Sequence, residues 1–263
     1  MICLTGDVHH RSYHGANTRY AKQTEAQLAL RYCDIAARHN VKLTLFVTGK
    51  ACLEEQATVA DLSRRSHCEI GGHTFCAFRS IRHWLSKYLG GSVLGSAALQ
   101  RGDIERTIAA IGAVTGKQTR AWRNHAYLHD IHTYPILGEL GIHIVSDRVA
   151  TNTTAVERVS QELLSLPINT LPDHEHVLHG RYMAGRTHFA RLEGRRTIQE
   201  WRETVEHQVE AIEQLGGIAT ILARPLCMEV ADGMQSFEQL CRVLSRYETR
   251  WVSEVLQNRS RGF

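Results

Sequence analysis

The chain has 263 residues, 43% of them hydrophobic, which is enough to bury one substantial core. We therefore expect a single domain covering residues 1–263. The net charge of +4 comes from interspersed acidic and basic residues, so nothing indicates a nucleic-acid partner. The longest apolar runs are strand-sized and the N-terminus lacks a signal-like segment. These features predict a soluble, cytoplasmic protein with no membrane partner.

Predicted strands and helices alternate along the chain, a rhythm typical of α/β folds with a parallel sheet. In chain order the predicted elements are a strand over Ile2–Thr5 leading to Asp7, a helix over 24–39, a strand over 43–47, a helix over 54–65, a strand over 68–71, a helix through Ile104 and Ile111 ended by Gly116, a strand over 120–122, a helix over 133–140, a strand over 142–146, a helix from Thr197 to Ile212, a strand over 218–222 and a helix over 236–247. About seven strand and helix pairs favour a barrel. Two stretches, 79–100 and 148–197, are predicted to be irregular substrate loops.

Histidine and cysteine are the residue types that bear on a metal site. The seven cysteines form no C-x-x-C pair, which favours reduced, buried thiols over a disulfide scaffold or a cysteine-built zinc site. The sixteen histidines, in contrast, are clustered. The clusters are His9–His10, His73, His125–His129–His132 and His174–His176–His179. Such grouping suggests a metal site or an acid/base site.

Four polar residues follow predicted strands: Asp7, His73, Arg123 and Arg224. Parallel α/β barrels gather their catalytic side chains at the carboxyl ends of the strands, so these four are expected to converge. Each of them alone could equally cap a loop or a helix. Together they favour a functional site.

Several short segments match a known family in type, order and spacing. They are Leu4-Thr5-Gly6-Asp7, Leu45-Phe46-Val47-Thr48-Gly49, Glu69-Ile70-Gly71-Gly72-His73-Thr74, Arg123-Asn124-His125-Ala126-Tyr127, Glu139-Leu140-Gly141 to Val145-Ser146-Asp147, and Ile221-Leu222-Ala223-Arg224-Pro225. The chain thereby resembles the polysaccharide deacetylases, carbohydrate esterase family 4 with the NodB homology region, as a divergent member.

The resemblance implies an α/β fold, a distorted (β/α)7 barrel of the glycoside hydrolase/deacetylase type. It also implies a divalent metal, most simply zinc, and hydrolysis of an N-acetyl amide on a sugar. A bound Zn²⁺ polarises a carbonyl and lowers the pKa of its water to roughly 7. In this scheme Asp7 matches the catalytic base, His73 a metal imidazole, and Arg123 the arginine that orients the base and keeps it ionised.

The metal ligands depart from the family pattern at two positions. Ala77 stands where the family has a second histidine, and Val8 stands where it has a second aspartate. If the segment is extended, His9 points to the same side as Asp7 and can replace a lost ligand. His125, two residues after Arg123, can supply another. We predict a metal set of His9, His73 and His125 with Asp7 as base or fourth ligand. The sequence fits a solvent-exposed loop histidine at position 9 equally well. Cys76 is more simply a buried thiol than a soft ligand.

The third departure is Arg224, which occupies the place of the histidine that protonates the leaving amine. Arginine stays charged, so it cannot cycle a proton, although it can stabilise an oxyanion or bind a carboxylate. Losing a general acid typically costs roughly 10²- to 10⁴-fold in rate. The sequence therefore predicts a catalytic position with altered chemistry.

Residues that could bind a substrate lie outside these motifs or at their ends. Trp84, with Tyr88 and nearby basic residues, could stack on and orient a sugar, or could line a solvated helix face. His174 belongs to an alternating run with His176 and His179 that suits an exposed strand better than a metal site. Tyr127, His174 and Trp84 are the predicted substrate-binding residues.

Three functions remain open at this level. The first is a metal-dependent hydrolase of non-peptide carbon–nitrogen bonds, an N-deacetylase of an acetylated amino sugar, weakened at Ala77 and Arg224. The second is a catalytically impaired carbohydrate-binding pseudoenzyme. The third is a metal-independent cyclic-amide hydrolase on the same fold. The products separate them, since only the first releases acetate and only the third yields a ring-opened acid.

Overall fold

Eight strands form one curled sheet in the computed structural model, which describes residues 1–15, 17–173 and 196–256. The strands are β1 (Ile2–Val8), β2 (Leu43–Val47), β3 (Cys68–Gly72), β4 (Ala121–Trp122), β5 (Ile144–Val145), β6 (Glu157–Arg158), β7 (Leu164–Ser165) and β8 (Ala219–Leu222). Their order is β6-β7-β5-β4-β3-β2-β1-β8, and every pair except β6 with β7 is parallel. This is the predicted α/β architecture, a distorted barrel.

Helices connect the strands and cover the outside of the sheet. They are α1 (Glu25–Arg38), α2 (Gly49–Glu54), α3 (Gln56–Arg64), α4 (Ile81–Gly90), α5 (Ala97–Thr115), α6 (Thr133–Glu139), α7 (Ile198–Gln214), α8 (Pro225–Asp232) and α9 (Gln235–Leu244), with short 3-10 helices at Thr18–Tyr20, His125–Tyr127 and Val252–Leu256. Among the described residues, none of these helices is both long enough and apolar enough to cross a membrane.

Several element predictions are corrected by the structure. The stretch predicted as irregular over 148–197 contains β6 and β7. Asp7 lies inside β1 and not after it, because the parallel pairing with β2 continues to Val8. The helix predicted over 54–65 is α3, and the preceding α2 was not predicted; Glu55, with φ of −139° and ψ of 42°, interrupts the helical backbone between them. The stretch predicted as irregular over 79–100 contains α4, which begins at the N-cap Ser80 and ends at the left-handed Gly91. Helix α8 was not predicted, although Pro225 stands at its first position.

The ends of the helices follow the sequence signals closely. Thr24 forms a capping box with Gln27 at the start of α1, and Thr197 forms one with Glu200 at the start of α7. Helix α5 ends as predicted at Gly116, whose φ of 66° is left-handed. Helix α1 buries Leu28, Tyr32 and Ile35, the face that the sequence periodicity indicates.

A buried side chain adds to the backbone hydrogen bonds that close the barrel where regular strand pairing stops. The described ladder ends at β8 on one side, and the segment after β7 lies next to it. The Nδ2 of Asn169 donates to the carbonyl oxygens of Thr153 and Ile218, and its Oδ1 accepts from the backbone N–H of Thr220 at 2.7 Å. Asn169 is buried, and its bonds satisfy the buried N–H of Thr220 and the partly buried carbonyls of Thr153 and Ile218.

The carboxyl ends of β1, β3 and β4 converge at one end of this barrel. Gly72 ends β3 with its Cα directly against the ring of Trp122 in β4, where an added Cβ would lie 2.3 Å from ring carbons. Only glycine allows this close approach. The residues that follow, His73 and Arg123, therefore leave adjacent strands side by side.

Candidate metal and catalytic centre

Arg123 is fully buried among the carboxyl ends of the strands. Its Nη1 donates to Asp7 Oδ1 at 3.0 Å, its Nη2 donates to the hydroxyls of Thr5 and Ser146, and its Nε donates to the Ser146 carbonyl. The guanidinium also lies over the ring of Phe46. A buried guanidinium that is bonded on every side is held in one orientation, so Asp7 is held with it.

Asp7 is buried and ionised. Burial would raise the pKa of this carboxyl, but attraction by Arg123 and then by His73 outweighs burial, so the pKa lies below its ordinary value. The carboxylate therefore carries its charge at neutral pH beside the imidazole of His73.

His73 follows β3 and is oriented by the backbone. Its Nδ1 lies 2.8 Å from the carbonyl oxygen of Arg123, which fixes the tautomer with the proton on Nδ1 and leaves Nε2 as the acceptor. Burial lowers the pKa of His73 to about 4, despite the neighbouring Asp7. The ring is therefore neutral at neutral pH, the form that binds a metal.

His9 is oriented by a carboxylate that the sequence analysis did not identify. Glu25 Oε2 accepts from the His9 backbone N–H and lies 2.9 Å from His9 Nδ1. Tyr13 stacks on the other face of the ring, with 4.3 Å between ring centroids. His9 is buried, so the alternative of a solvent-exposed loop histidine is excluded.

His125 completes the group of three imidazoles. Its Nδ1 lies 3.1 Å from His9 Nε2, and its ring meets those of His9 and His73 edge to face. Each of the three histidines offers one nitrogen, and these nitrogens all lie within 4.8 Å of one another. Burial, followed by His9 and His73, lowers the pKa of His125, so this ring is also neutral.

A divalent cation fits this donor set. Two of the imidazoles are oriented from behind, His9 by Glu25 and His73 by the Arg123 carbonyl, as metal-ligating histidines usually are. Three imidazoles with one open position form a common catalytic zinc arrangement. The backbone that presents them is strained, since the non-glycine residues Thr74, Ala77, Phe78, Ala126 and Tyr127 have φ between 53° and 59°.

Arg224 leaves β8 toward the same end of the barrel, but it is paired. Its Nε lies 3.0 Å from Asp173 Oδ1, and its backbone N–H donates to Asp173 Oδ2. Asp173 is fully buried. The Tyr127 hydroxyl is affected by the same charges. Burial and then the charge of Asp7 raise the pKa of Tyr127 above the ordinary value, while the charge of Arg224 lowers it. Arg224 is thus a fixed cation, and Tyr127 is a protonated phenol.

The other predicted residues lie elsewhere or are not described. Trp84 is exposed on α4 and stacks on Tyr88 at 5.7 Å. His174 lies outside the described residues, as do His176 and His179. All seven cysteines are free and buried, as predicted. Glu25 and Tyr13 were missed because a helix-start glutamate and a loop tyrosine carry no local sign of burial, although Tyr13 lies in the histidine-rich segment 9–14.

Comparison with known proteins bears on the fold. Residues 25–145 match the family model described as polysaccharide deacetylase. Over this part of the chain the protein is similar to the polysaccharide deacetylases. The matched residues contain His73, Arg123 and His125, while Asp7 and His9 precede them. Among curated proteins, none matches the chain significantly.

Solved structures share the fold of this chain at low sequence identity. A protein of Mycobacterium smegmatis assigned to the polysaccharide deacetylases has a TM-score of 0.71 at 17% identity, over 98% of this chain and 89% of its own. The allantoinase PuuE has a TM-score of 0.68 at 12% identity, over 95% and 86%. BA3943 from Bacillus anthracis, a pseudoenzyme of carbohydrate esterase family 4, has 0.53 at 13%, over 97% and 65%. The shared fold thus covers different activities and does not select one.

Proposed function

We propose that this chain is a metal-dependent hydrolase of non-peptide carbon–nitrogen bonds, which removes the acetyl group from an N-acetylated amino sugar. The observation that carries the proposal is the group formed by the buried His9 and His73 and the half-buried His125, with converging ring nitrogens, beside the ionised carboxylate of Asp7. The match of residues 25–145 to the polysaccharide deacetylase model supports a carbohydrate amide as the substrate class. We also propose that residues 1–263 form one domain, because strands from Ile2 to Leu222 join a single sheet.

Each residue of the proposed centre has a separate role in amide hydrolysis. A divalent cation, most simply zinc, held by His9, His73 and His125 would polarise the amide carbonyl and acidify a water molecule. Asp7, ionised and oriented by Arg123, accepts the proton of that water. Tyr127 keeps its proton at neutral pH and can donate a hydrogen bond to the substrate oxygen.

Arg224 determines how fast such a reaction can run. It keeps a positive charge beside the centre and can stabilise developing negative charge, but it has no proton to exchange with a leaving amine. The leaving amine then takes its proton from water or from the protonated Asp7. We therefore expect slow turnover compared with enzymes that carry a histidine there, by roughly 10²- to 10⁴-fold.

The metal set is tested by elemental analysis of purified protein loaded with zinc and of its His73→Ala variant. We expect zinc bound by the parent protein and less zinc in the variant, because the variant lacks one of the three converging nitrogens. His207→Ala, which removes an exposed histidine on α7, is the matched control and should keep the parent content. Equal and near-zero zinc in the parent and in His73→Ala would overturn the proposed metal site.

A second candidate is a carbohydrate-binding pseudoenzyme, favoured by one observation, the pairing of Arg224 with Asp173. This pair occupies the position of a general acid and holds the guanidinium in place. Acetate release from N-acetylated oligosaccharides separates the two functions: steady release that is lost in Asp7→Asn supports the hydrolase, while saturable binding without release supports the pseudoenzyme. A ring-opened acid from a cyclic amide, with no acetate, would instead identify the cyclic-amide hydrolase.

A further inference from the structure

A second group of metal-binding side chains lies beside the histidine centre. Cys76 follows β3, His83 lies on α4 and Asp103 lies on α5, and all three are buried. Each offers one ligand atom, and the three atoms lie within 4.8 Å of one another. The three residues are therefore brought together by tertiary structure, since 27 positions separate the first from the last.

Hydrogen bonds from Ser80 and from the Phe75 backbone orient His83 and Asp103. One free ligand atom of each therefore faces the other residue. Ser80 Oγ lies 2.8 Å from His83 Nδ1, and the other nitrogen, Nε2, lies 3.9 Å from Asp103 Oδ1. The Phe75 backbone N–H donates to Asp103 Oδ2 at 2.8 Å, which leaves Oδ1 facing the histidine. Groups that orient a ligand from behind in this way are typical of metal sites.

The same geometry argues against a cysteine nucleophile with a histidine base. Such a triad needs one ring nitrogen facing the thiol and the other facing the carboxylate that orients the ring. Here Ser80 engages Nδ1, and the carboxylate faces Nε2. The arrangement thus has the form of a ligand set and not that of a proton relay.

The chemistry of the three donors suits zinc. Thiolate, imidazole and carboxylate are its usual protein ligands, and a thiolate with a carboxylate balances the charge of a divalent cation. A cavity of about 240 Å³ opens onto the group, so an ion has a way in and a fourth position is available. Lys50, Arg82 and Arg106 also line this cavity, so an anion or hydroxide is the expected fourth ligand.

We propose that Cys76, His83 and Asp103 form a second zinc site, separate from the histidine centre. Zinc bound there would tie the loop after β3 to α4 and α5. Phe78, in the same loop, contacts His83 on one side and His125 on the other, with ring centroids 5.4 and 6.1 Å apart. The second site would therefore support the loop that packs against the histidine centre.

Cobalt(II) titration of the full chain tests this site, because a thiolate ligand to cobalt gives a charge-transfer absorption that a site of three histidines cannot give. We expect the parent protein to bind two equivalents and to show this absorption. Cys76→Ala should bind one equivalent and lose the absorption. Cys52→Ala, which removes another buried thiol on α2, is the matched control and should behave like the parent.

Two further variants separate this inference from the proposed function. His73→Ala should lose the other equivalent and keep the thiolate absorption, so a failure of the histidine centre leaves the second site measurable. His83→Gln should weaken or abolish the absorption, and it decides the matter if Cys76→Ala does not fold. A parent protein without thiolate absorption, or an absorption that survives unchanged in Cys76→Ala or in a folded His83→Gln, would overturn the second site.

Discussion

Arg224 is the single residue that most sharply separates this chain from an efficient deacetylase. The structure places Asp173 next to it, with one carboxylate oxygen near Nε and the other bonded to the backbone N–H. A buried carboxylate next to an imidazole orients the ring and raises its pKa. The partner that a general-acid histidine would need is thus already present.

We predict that Arg224→His raises the rate of amide hydrolysis by about 10- to 100-fold, toward the range that general acid catalysis supplies. The introduced imidazole donates a proton only when it is charged. The gain should therefore be present below its pKa, which Asp173 raises, and should disappear as the pH rises through that value. Acetate release measured from pH 6 to 9 gives this profile.

Two controls isolate proton donation from simple loss of the arginine. Arg224→Gln removes the charge without supplying an acid and should not gain activity. Arg224→His combined with Asp173→Asn should lose most of the gain, because the ring loses the carboxylate that raises its pKa. A rate for Arg224→His that is unchanged across the whole pH range would argue against the assignment of this position.

The sequence identifies the residues of the proposed metal centre better than the residues that orient them. His9, His73 and His125 could be grouped in advance because each stands at or just after a strand end, and strand ends converge in a barrel. Glu25 could not be assigned to His9, because its burial depends on how α1 packs against β1. Tyr13 likewise carries no local pattern, since it lies in a loop.

Helix α1 links the stability of the fold to the proposed metal centre, because its first turn carries Glu25. Thr24 caps its first turn in a box with Gln27, and its hydroxyl also donates to the carboxylate of Glu55. The next residue is Glu25, which holds His9. The start of the helix therefore sets the position of a side chain that orients a proposed ligand.

We predict that Thr24→Ala lowers the free energy of unfolding by about 1 kcal/mol, the usual cost of losing a helix cap. It should also weaken zinc binding, because Glu25 loses its fixed starting point. Urea denaturation and zinc titration measure the two effects. Thr197→Ala removes the capping box of α7, which contains none of the proposed ligands, so it should cost similar stability and leave zinc affinity unchanged. Equal zinc affinities in the two variants would contradict the role of Glu25.

Helix α4 is an element that hydrophobic periodicity in the sequence does not reveal. Its large apolar residues are exposed, among them Ile81, Trp84 and Leu89. Amphipathic periodicity identifies a helix by the stripe that faces a core, and here the apolar residues do not mark a buried face. The signals that remain are the N-cap Ser80 and the left-handed Gly91, which are local and easily overlooked.

Closure of the barrel is a property of the whole molecule, and the sequence does not reveal it. The strands from β1 to β5 and β8 follow apolar runs and were predicted within a few residues. The return from β7 to β8, in contrast, depends on Asn169, whose amide bonds join residues about 50 positions apart. No local pattern distinguishes such an asparagine from one in an exposed turn.

We predict that Asn169→Ala lowers the free energy of unfolding by about 3 kcal/mol, because it leaves a buried N–H and two partly buried carbonyls without their partner and also leaves a cavity. Thr170→Val is the matched control. The Thr170 hydroxyl donates to the Thr220 carbonyl at 3.2 Å, and valine keeps its shape, so the loss should stay near 1 kcal/mol. Urea denaturation measures both. Equal losses in the two variants would mean that the amide bonds of Asn169 add nothing to the backbone bonds of this junction, since the two residues lie at the same junction and differ in the number of backbone groups they satisfy.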